Sequence, residues 1–275
     1  RDRRNDLLVH GIGMDDEAPT IQTCPADRLV NTSFQTTGDC IADVPNLVPE
    51  VVATDNCPGV ISITQSPVAG FDFVGAHGDE LIVTITTKDV AGNTSTCEVE
   101  LTLNDNEKPT INCNVPTAFN TTPGVCGWVV TNSVADPSFG DNCSAVRTHN
   151  YLAAPQLNTL QGAELPVGQT TIVWTITDQA GNTTTCSITY TITDNEKPVF
   201  VNCPSNITVG NDVDKCGSNV FWLAPSATDN CAATVVQTAG PLPGALFPVG
   251  TTTVAYKATD PSGNAVTCSF TVTVT

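Results

Sequence analysis

Carboxylates and amides recur along this 275-residue chain at spacings that suit a hard cation. Asp-Asn-Cys stands at Asp55-Asn56-Cys57, Asp141-Asn142-Cys143 and Asp229-Asn230-Cys231. Asp-x-x-Gly-Asn runs from Asp89 to Asn93, from Asp178 to Asn182 and from Asp260 to Asn264. An acidic segment precedes each set: Asp15-Asp16-Glu17, Asp105-Asn106-Glu107 and Asp194-Asn195-Glu196. Calcium takes roughly six to eight oxygens from carboxylates, amides, carbonyls and water, which this inventory supplies. The predicted Ca2+ ligands are Asp15, Asp16, Glu17, Asp55, Asp89 and Asn93, then Asp105, Glu107, Asp141, Asp178 and Asn182, then Asp194, Glu196, Asp229, Asp260 and Asn264. Carboxylates crowded together without a basic partner repel one another, and a divalent ion removes that cost. Two features compete with this reading. Asp-Asn and Asp-x-x-Gly-Asn are also good turn formers whose side chains satisfy backbone donors unaided, and Lys108 and Lys197 could each neutralise one carboxylate.

The twelve cysteines offer a second chemistry. They fall as Cys24, Cys40, Cys57, Cys97; Cys113, Cys126, Cys143, Cys186; and Cys203, Cys216, Cys231, Cys268, one set for about every ninety residues. Such a period marks an array of one repeated module. Cysteine-only zinc sites usually bring two ligands together as C-x₂₋₄-C, and no two cysteines here are so close. Even numbers at recurring spacings favour disulfides and an oxidising compartment. Four cysteines allow three connectivities in each module. Placing the third and fourth at one pole favours first with second and third with fourth, the shorter span contributing on the order of 3 kcal/mol on the chain-entropy account.

The elements that must position these residues are strands. Short Val/Ile/Thr-rich stretches separated by Gly, Pro, Asn and Asp predict an all-β fold of tandem immunoglobulin-like β-sandwich modules, each of about seven strands. The predicted modules are 15–104, 105–193 and 194–275. Alternation places Ile172, Trp174 and Ile176 on one face of a strand, with Cys186, Ile188, Tyr190 and Ile192 on one face of the next and threonine mostly opposite. Val254, Tyr256 and Ala258, then Cys268, Phe270, Val272 and Val274, repeat the pattern, as do Val83, Ile85, Thr87, Cys97, Val99, Leu101 and Leu103. Trp174 is read as core packing rather than a sugar platform. The segment before the first strand, the loop between strands two and three and the final hairpin turn are expected at one pole, where the acidic residues would meet.

Charge bounds the partners. A formal net charge of -18 repels nucleic acid and anionic membrane faces and attracts cations. No apolar run is long enough to span a bilayer. Arg1 to Met14 resembles no repeat unit, and Thr275 stops where the earlier modules continue into Asp-Asn-Glu-Lys-Pro, so a longer parent chain with neighbouring repeats is expected. The three histidines, His10, His77 and His149, sit at unrelated repeat positions. His149 is read as a solvated loop residue, and no acid, base or nucleophile set points to an enzyme.

The frame Glu196-Lys197-Pro198, Cys203-Pro204, Asp229-Asn230-Cys231, Phe247 to Thr253, Val254, Tyr256 and Asp260 to Asn264 closely resembles the hyalin repeat. The second module matches with Asn114 and Leu165 as departures. The first keeps Cys24-Pro25, Asp55-Asn56-Cys57 and Asp89 to Asn93 but lacks the Pro-Val-Gly strand start. The resemblance implies immunoglobulin-like extracellular modules with an adhesive or spacer role, secreted or displayed at a cell surface. It also suggests large Bacteroidetes surface proteins, including adhesins of the gliding type, with a sea-urchin-type matrix protein as the other source. The expected function is a calcium-stiffened stalk. The alternatives are modules that grip a surface glycan or protein, and accessory modules of a secreted enzyme.

Overall fold

A computed structural model describes residues 14–33, 40–151 and 155–275. The segment 1–13, with His10, and the middle of the loop from Arg147 to Gly162 lie outside the described residues. The fold is all-β, and among the described residues the same arrangement appears three times, with eight strands in each repeat where about seven were expected.

In the first repeat, a four-stranded sheet runs in the order Arg28–Asn31, Thr94–Asn104, Glu80–Lys88, Ser62–Ser66. Its first pairing is parallel and the other two antiparallel. Two shorter pairs complete the repeat: Thr20–Thr23 with Val52–Thr54, and Ile41–Asp43 with Asp72–Val74. Ala42 and Phe73 from the shorter strands pack with Val83, Ile85, Val99, Leu101 and Leu103 from the larger sheet, which makes the repeat a two-layered sandwich. Strand alternation dictates this core directly: the predicted inward residues Val83, Ile85, Val99, Leu101 and Leu103 are all fully buried.

Two compact units divide the described chain. The first holds the residues up to Ile111 together with Phe139–Val146 and Ile176–Thr184. The division does not follow the sequence repeats, because the two loops of the second repeat that carry Asp141 and Asp178 belong to the first unit.

The second unit holds Asn112–Ser138, Arg147–Thr175 and Thr185–Thr275. In the third repeat Phe247, Val254, Tyr256, Phe270, Val272 and Val274 form the core, and the Trp222 indole N–H donates to the Tyr256 hydroxyl at 2.9 Å. Trp174 is fully buried, as its inward phase requires. The Arg147 guanidinium lies 5.2 Å from the Trp174 ring centroid and donates to Asp136 at 2.9 Å. Asp136 also accepts from the Thr159 hydroxyl at 2.6 Å and the Leu160 amide at 3.0 Å, so one buried carboxylate ties down the returning loop. His149 departs from expectation. It is buried against Trp174, its Nδ1 accepts from the Tyr151 amide at 3.2 Å, and its Nε2 faces the Thr159 carbonyl at 3.1 Å. The strand that ends at His149 carries the ring inward, so it packs instead of meeting solvent. Burial pushes the Tyr190 phenol up to about 12, with the Asp136 charge adding to the rise and Trp174 and Arg147 opposing it; the hydroxyl donates to the Ala135 carbonyl.

Breaking a buried ion pair from one side strands the remaining charge. Asp136→Ala is therefore expected to lower the unfolding free energy by roughly 3–5 kcal/mol in a denaturant titration.

Candidate functional site

Each Asp-x-x-Gly-Asn hairpin turn closes on its own side chains. The Asp178 carboxylate accepts from the Asn182 amide N–H at 2.7 Å and from Asn182 Nδ2 at 2.8 Å; Asp260 does the same with Asn264 at 2.7 and 2.8 Å, and Asp89 with Asn93 at 2.8 Å in both contacts. The intervening Gly92, Gly181 and Gly263 have φ of 105°, 88° and 91°, which only glycine adopts without strain. Each asparagine then reaches the carbonyl that begins its repeat: Asn93 to Asp15, Asn182 to Asp105 and Asn264 to Asp194, at 3.1, 3.3 and 3.0 Å. The turn asparagines thus fasten the acidic leading segment to the hairpin. For Asp89, burial raises the carboxyl, but donation from the Asn93 side chain and the Gly92, Asn93 and Ala91 amides outweighs it and leaves the group below its usual range.

In the first unit, Asp105, Asp141 and Asp178 offer carboxylate oxygens within 4.8 Å of one another, and all three are buried. Asp105 Oδ1 accepts from the Thr32 hydroxyl, Asn142 Nδ2 and the Glu107 amide, at 3.3, 3.3 and 3.2 Å. Asn142 Nδ2 also donates to the Thr32 hydroxyl at 2.9 Å. Four buried oxygens have no hydrogen-bond donor: Asp105 Oδ2, both oxygens of Asp141, and Asn142 Oδ1. Burial, then the charges of Asp105 and Asp178, push the Asp141 carboxyl above its usual range; the Cys143 and Asn142 amides pull the other way without completing a hydrogen bond.

The second unit repeats the arrangement more openly. Asp194 Oδ1 accepts from Glu196 N, Asn230 Nδ2 and the Thr121 hydroxyl at 3.1, 3.3 and 3.4 Å. Asp194 Oδ2, Asp229 Oδ2 and Asn230 Oδ1 lack donors. The Cys231 sulfur lies in the same cluster, but it is bonded to Cys126 and is no thiolate ligand. At the leading end of the first unit, Asp15 and Asp55 cluster with Cys57, whose thiol is free. Desolvation, then Asp15 by hydrogen bond and charge and the charges of Asp55 and Glu17, push this thiol up.

The predicted residues therefore separate. Asp105, Asp141 and Asp178 converge, as do Asp194 with Asp229 and Asp15 with Asp55. Asp89, Asn93, Asn182, Asp260 and Asn264 act in the turns. Asp16 and Glu17 are exposed, and Glu17 accepts from Asn56 Nδ2 at 2.7 Å. Glu107 and Glu196 are half-buried beside the clusters, Glu196 accepting from the Gly124 amide at 3.2 Å. Among the described residues Lys108 and Lys197 are exposed and make no ion pair with any of these carboxylates. Asp-Asn-Cys falls between the fourth and fifth strands of the second repeat, Ser138–Gly140 and Ala145–His149, not between the second and third. Thr32 and Thr121 were not legible as participants; their shared place directly after an Asn that ends a strand was the available signal.

The disulfides overturn the expected pairing. The first cysteine of each repeat bonds to the fourth: Cys24–Cys97, Cys113–Cys186 and Cys203–Cys268. The second bonds to the third cysteine of the following repeat: Cys40–Cys143 and Cys126–Cys231, each with Cα atoms 4.4 Å apart. It is the cysteine of the leading segment, not that of Asp-Asn-Cys, that lies against the last strand of its own repeat, with Cys24 Sγ 3.7 Å from the Glu98 carbonyl. Asp-Asn-Cys instead faces the preceding repeat, where Asn142 meets Thr32 and Asn230 meets the Val125 carbonyl at 3.1 Å.

Two outcomes follow. Cys40–Cys143 closes a sequence separation of 103, so the paired C40S/C143S variant is expected to lose on the order of 4–5 kcal/mol in denaturant unfolding, and non-reducing peptide mapping should recover the pair from the parent protein. Because the folded Asp141 carboxyl sits above its ordinary value of 3.8, the folded chain holds the extra proton; in chelator its contribution is to lower stability as pH rises through the window from 3.8 to the raised value. Melting curves across that window should show the loss, and D141N should flatten it.

A family profile described as the HYR domain matches residues 104–192 and 193–274. Hyalin of Lytechinus variegatus is 33% identical over 233 residues, covering 82% of this chain and 42% of hyalin. The Rattus norvegicus sushi, von Willebrand factor type A, EGF and pentraxin domain-containing protein 1 is 33% identical over 141 residues, or 50% of this chain and 4% of that protein. The chain thus spans less than half of either relative. Mouse cadherin-23 EC22-24 is similar at 16% identity with a TM-score of 0.36, covering 94% of this chain and 99% of that one. These relatives come from a sea urchin and a rodent, and the expected likeness to bacterial gliding adhesins finds no support in them. The first repeat, outside the profile match, has the same strand order as the other two. The chain belongs to the HYR domain family.

Proposed function

We propose that this chain is a stretch of a non-enzymatic extracellular repeat array, an adhesive spacer whose joints are stiffened by Ca2+. One observation carries the reading: Asp105, Asp141 and Asp178 are buried within 4.8 Å of one another, with donor-free oxygens on Asp105, Asp141 and Asn142 and, among the described residues, no ion pair to a basic side chain. The donor set suits the ion. Every group is a hard oxygen, two of the three carboxylates have an oxygen to spare, and the Asn142 carbonyl adds a neutral ligand. Water would complete the shell of roughly six to eight. Asp194, Asp229 and Asn230 supply a more open version, and Asp15 with Asp55 a third.

Thr32 belongs to the first repeat, whereas Asp105 begins the second and Asn142 lies in one of its loops, so an ion held by Asp105 and Asp141 would be tied to the first repeat through the Thr32 hydroxyl that bonds both Asp105 and Asn142. Extracellular calcium modules work at affinities of about 10⁻⁴ to 10⁻³ M, which allows a partly solvated site to fill outside the cell. Five disulfides favour the same oxidising compartment. Among the described residues no helix is long and apolar enough to cross a membrane. The family match and the occurrence of similar repeats in longer proteins support neighbouring repeats as the immediate partners.

Calcium titrated into metal-free protein should raise the melting temperature. At about ten times the dissociation constant, one site adds about 1.4 kcal/mol. D141N should behave oppositely in the two conditions, melting higher than the parent in chelator because a buried charge is gone, and gaining less from calcium. Reduction together with chelation should lower the melting temperature more than either alone. Superimposable melting curves in chelator and millimolar calcium would refute the calcium reading.

A further inference from the structure

Two cysteines stand outside the pairing: Cys57, third of the first repeat, and Cys216, second of the third repeat. Their counterparts are all bonded, and bonded by one rule, second cysteine to the third cysteine of the following repeat. The local structure at both free thiols copies that of the bonded positions. Around Cys126, the Val125 amide donates to the Thr122 carbonyl at 2.9 Å and the Thr122 amide to the Gly127 carbonyl at 2.8 Å. Around Cys216, the Lys215 amide donates to the Asp212 carbonyl at 3.1 Å and the Asp212 amide to the Gly217 carbonyl at 2.8 Å. Gly127 pairs with Pro166 and Gly217 with Pro248, and a Cβ at either glycine would collide with the facing strand, at 2.8 Å from the Leu165 carbonyl or 2.3 Å from that of Phe247. Both glycines therefore hold the preceding cysteine in one register. At the other end, the Cys57 amide donates to Asp55 Oδ1 at 2.8 Å as the Cys231 amide does to Asp229 Oδ1 at 3.0 Å. Both thiols are exposed.

We infer that Cys57 and Cys216 are complementary half-bridges: Cys216 bonds to the Asp-Asn-Cys cysteine of an HYR repeat that follows it, and Cys57 to the second cysteine of an HYR repeat that precedes it. The partner at each end is thus a repeat of the same kind, and the array is covalently linked across every joint, not only the two within this chain. The inference rests on the array reading and is independent of calcium. Bond formation is an exchange. Two thiols give up two protons and two electrons, one new S–S bond forms, and a small-molecule disulfide such as oxidised glutathione is cleaved to two thiols by way of a mixed disulfide.

A second copy of the chain presents both halves and serves as the probe. The 275-residue protein, incubated at high concentration in oxidised and reduced glutathione, in calcium and separately in chelator, should give a ladder of disulfide-linked oligomers whose mapped cross-link is Cys216 to Cys57. C57S and C216S alone should each stay monomeric, and their mixture should shift to the dimer mass and stop there. The heterologous bond in either buffer supports the inference, whatever calcium does to melting. Monomer carrying glutathione in both buffers, or symmetric Cys57–Cys57 or Cys216–Cys216 dimers in place of the mixed bond, would overturn it. Near-native melting temperatures of both variants would show that the serines leave the fold intact.

Discussion

Everything at the joints depends on holding carboxylates together where they would otherwise repel. Asp105, Asp141 and Asp178 come from three separated segments, and each is fixed before any ion is considered. Asp178 is pinned by Asn182, Asp105 is held through Thr32 and Asn142, and Asp141 is carried by a loop that Cys143 anchors to Cys40. Buried like charges within a few ångströms cost stability unless something offsets them. Here the offset begins with amide donors and a covalent tether, and a cation would complete it. The tether and the cluster sit one residue apart, with Asn142 Nδ2 3.7 Å from the Cys143 sulfur.

The same constraint accounts for the compact units. Phe139–Val146 and Ile176–Thr184 carry Asp141 and Asp178, and both associate with the first unit, as does the leading segment from Asp105 to Ile111, although most of their sandwich lies in the second. Hydrogen bonds from Asn142 to Thr32 and from Asn182 to the Asp105 carbonyl, together with the Cys40 bridge, supply the attachment. A sequence repeat and a compact unit are thus different objects in this chain. The repeat is set by the two-layered sandwich, and the unit by the polar cluster at its end.

Much of the sandwich could be read from the sequence, because strand geometry imposes a period of two on burial and the chain obeys it: Ile172, Trp174 and Ile176 or Val254, Tyr256 and Ala258 announce their face without any long-range information. The gathering of Asp105, Asp141 and Asp178 was legible for a related reason, since antiparallel connections return loops to the same pole. The disulfides were not. An even count of four in each repeat invites pairing inside the repeat, yet the cysteine beside Asp141 takes its partner from a sequence separation of 103. His149 was misread as solvated because its burial depends on Trp174 and on a loop returning from Thr159, contacts that no local pattern encodes.

The five bridges overlap along the chain. Cys24–Cys97 opens the series, and Cys40–Cys143, Cys113–Cys186, Cys126–Cys231 and Cys203–Cys268 each begin before an earlier one has closed. Every peptide bond from Cys24 to Cys268 is therefore spanned by at least one sulfur link. A protease that cuts the backbone once anywhere in that interval severs the polypeptide without releasing a piece of it, so the protein would carry such wear silently until a reductant arrived.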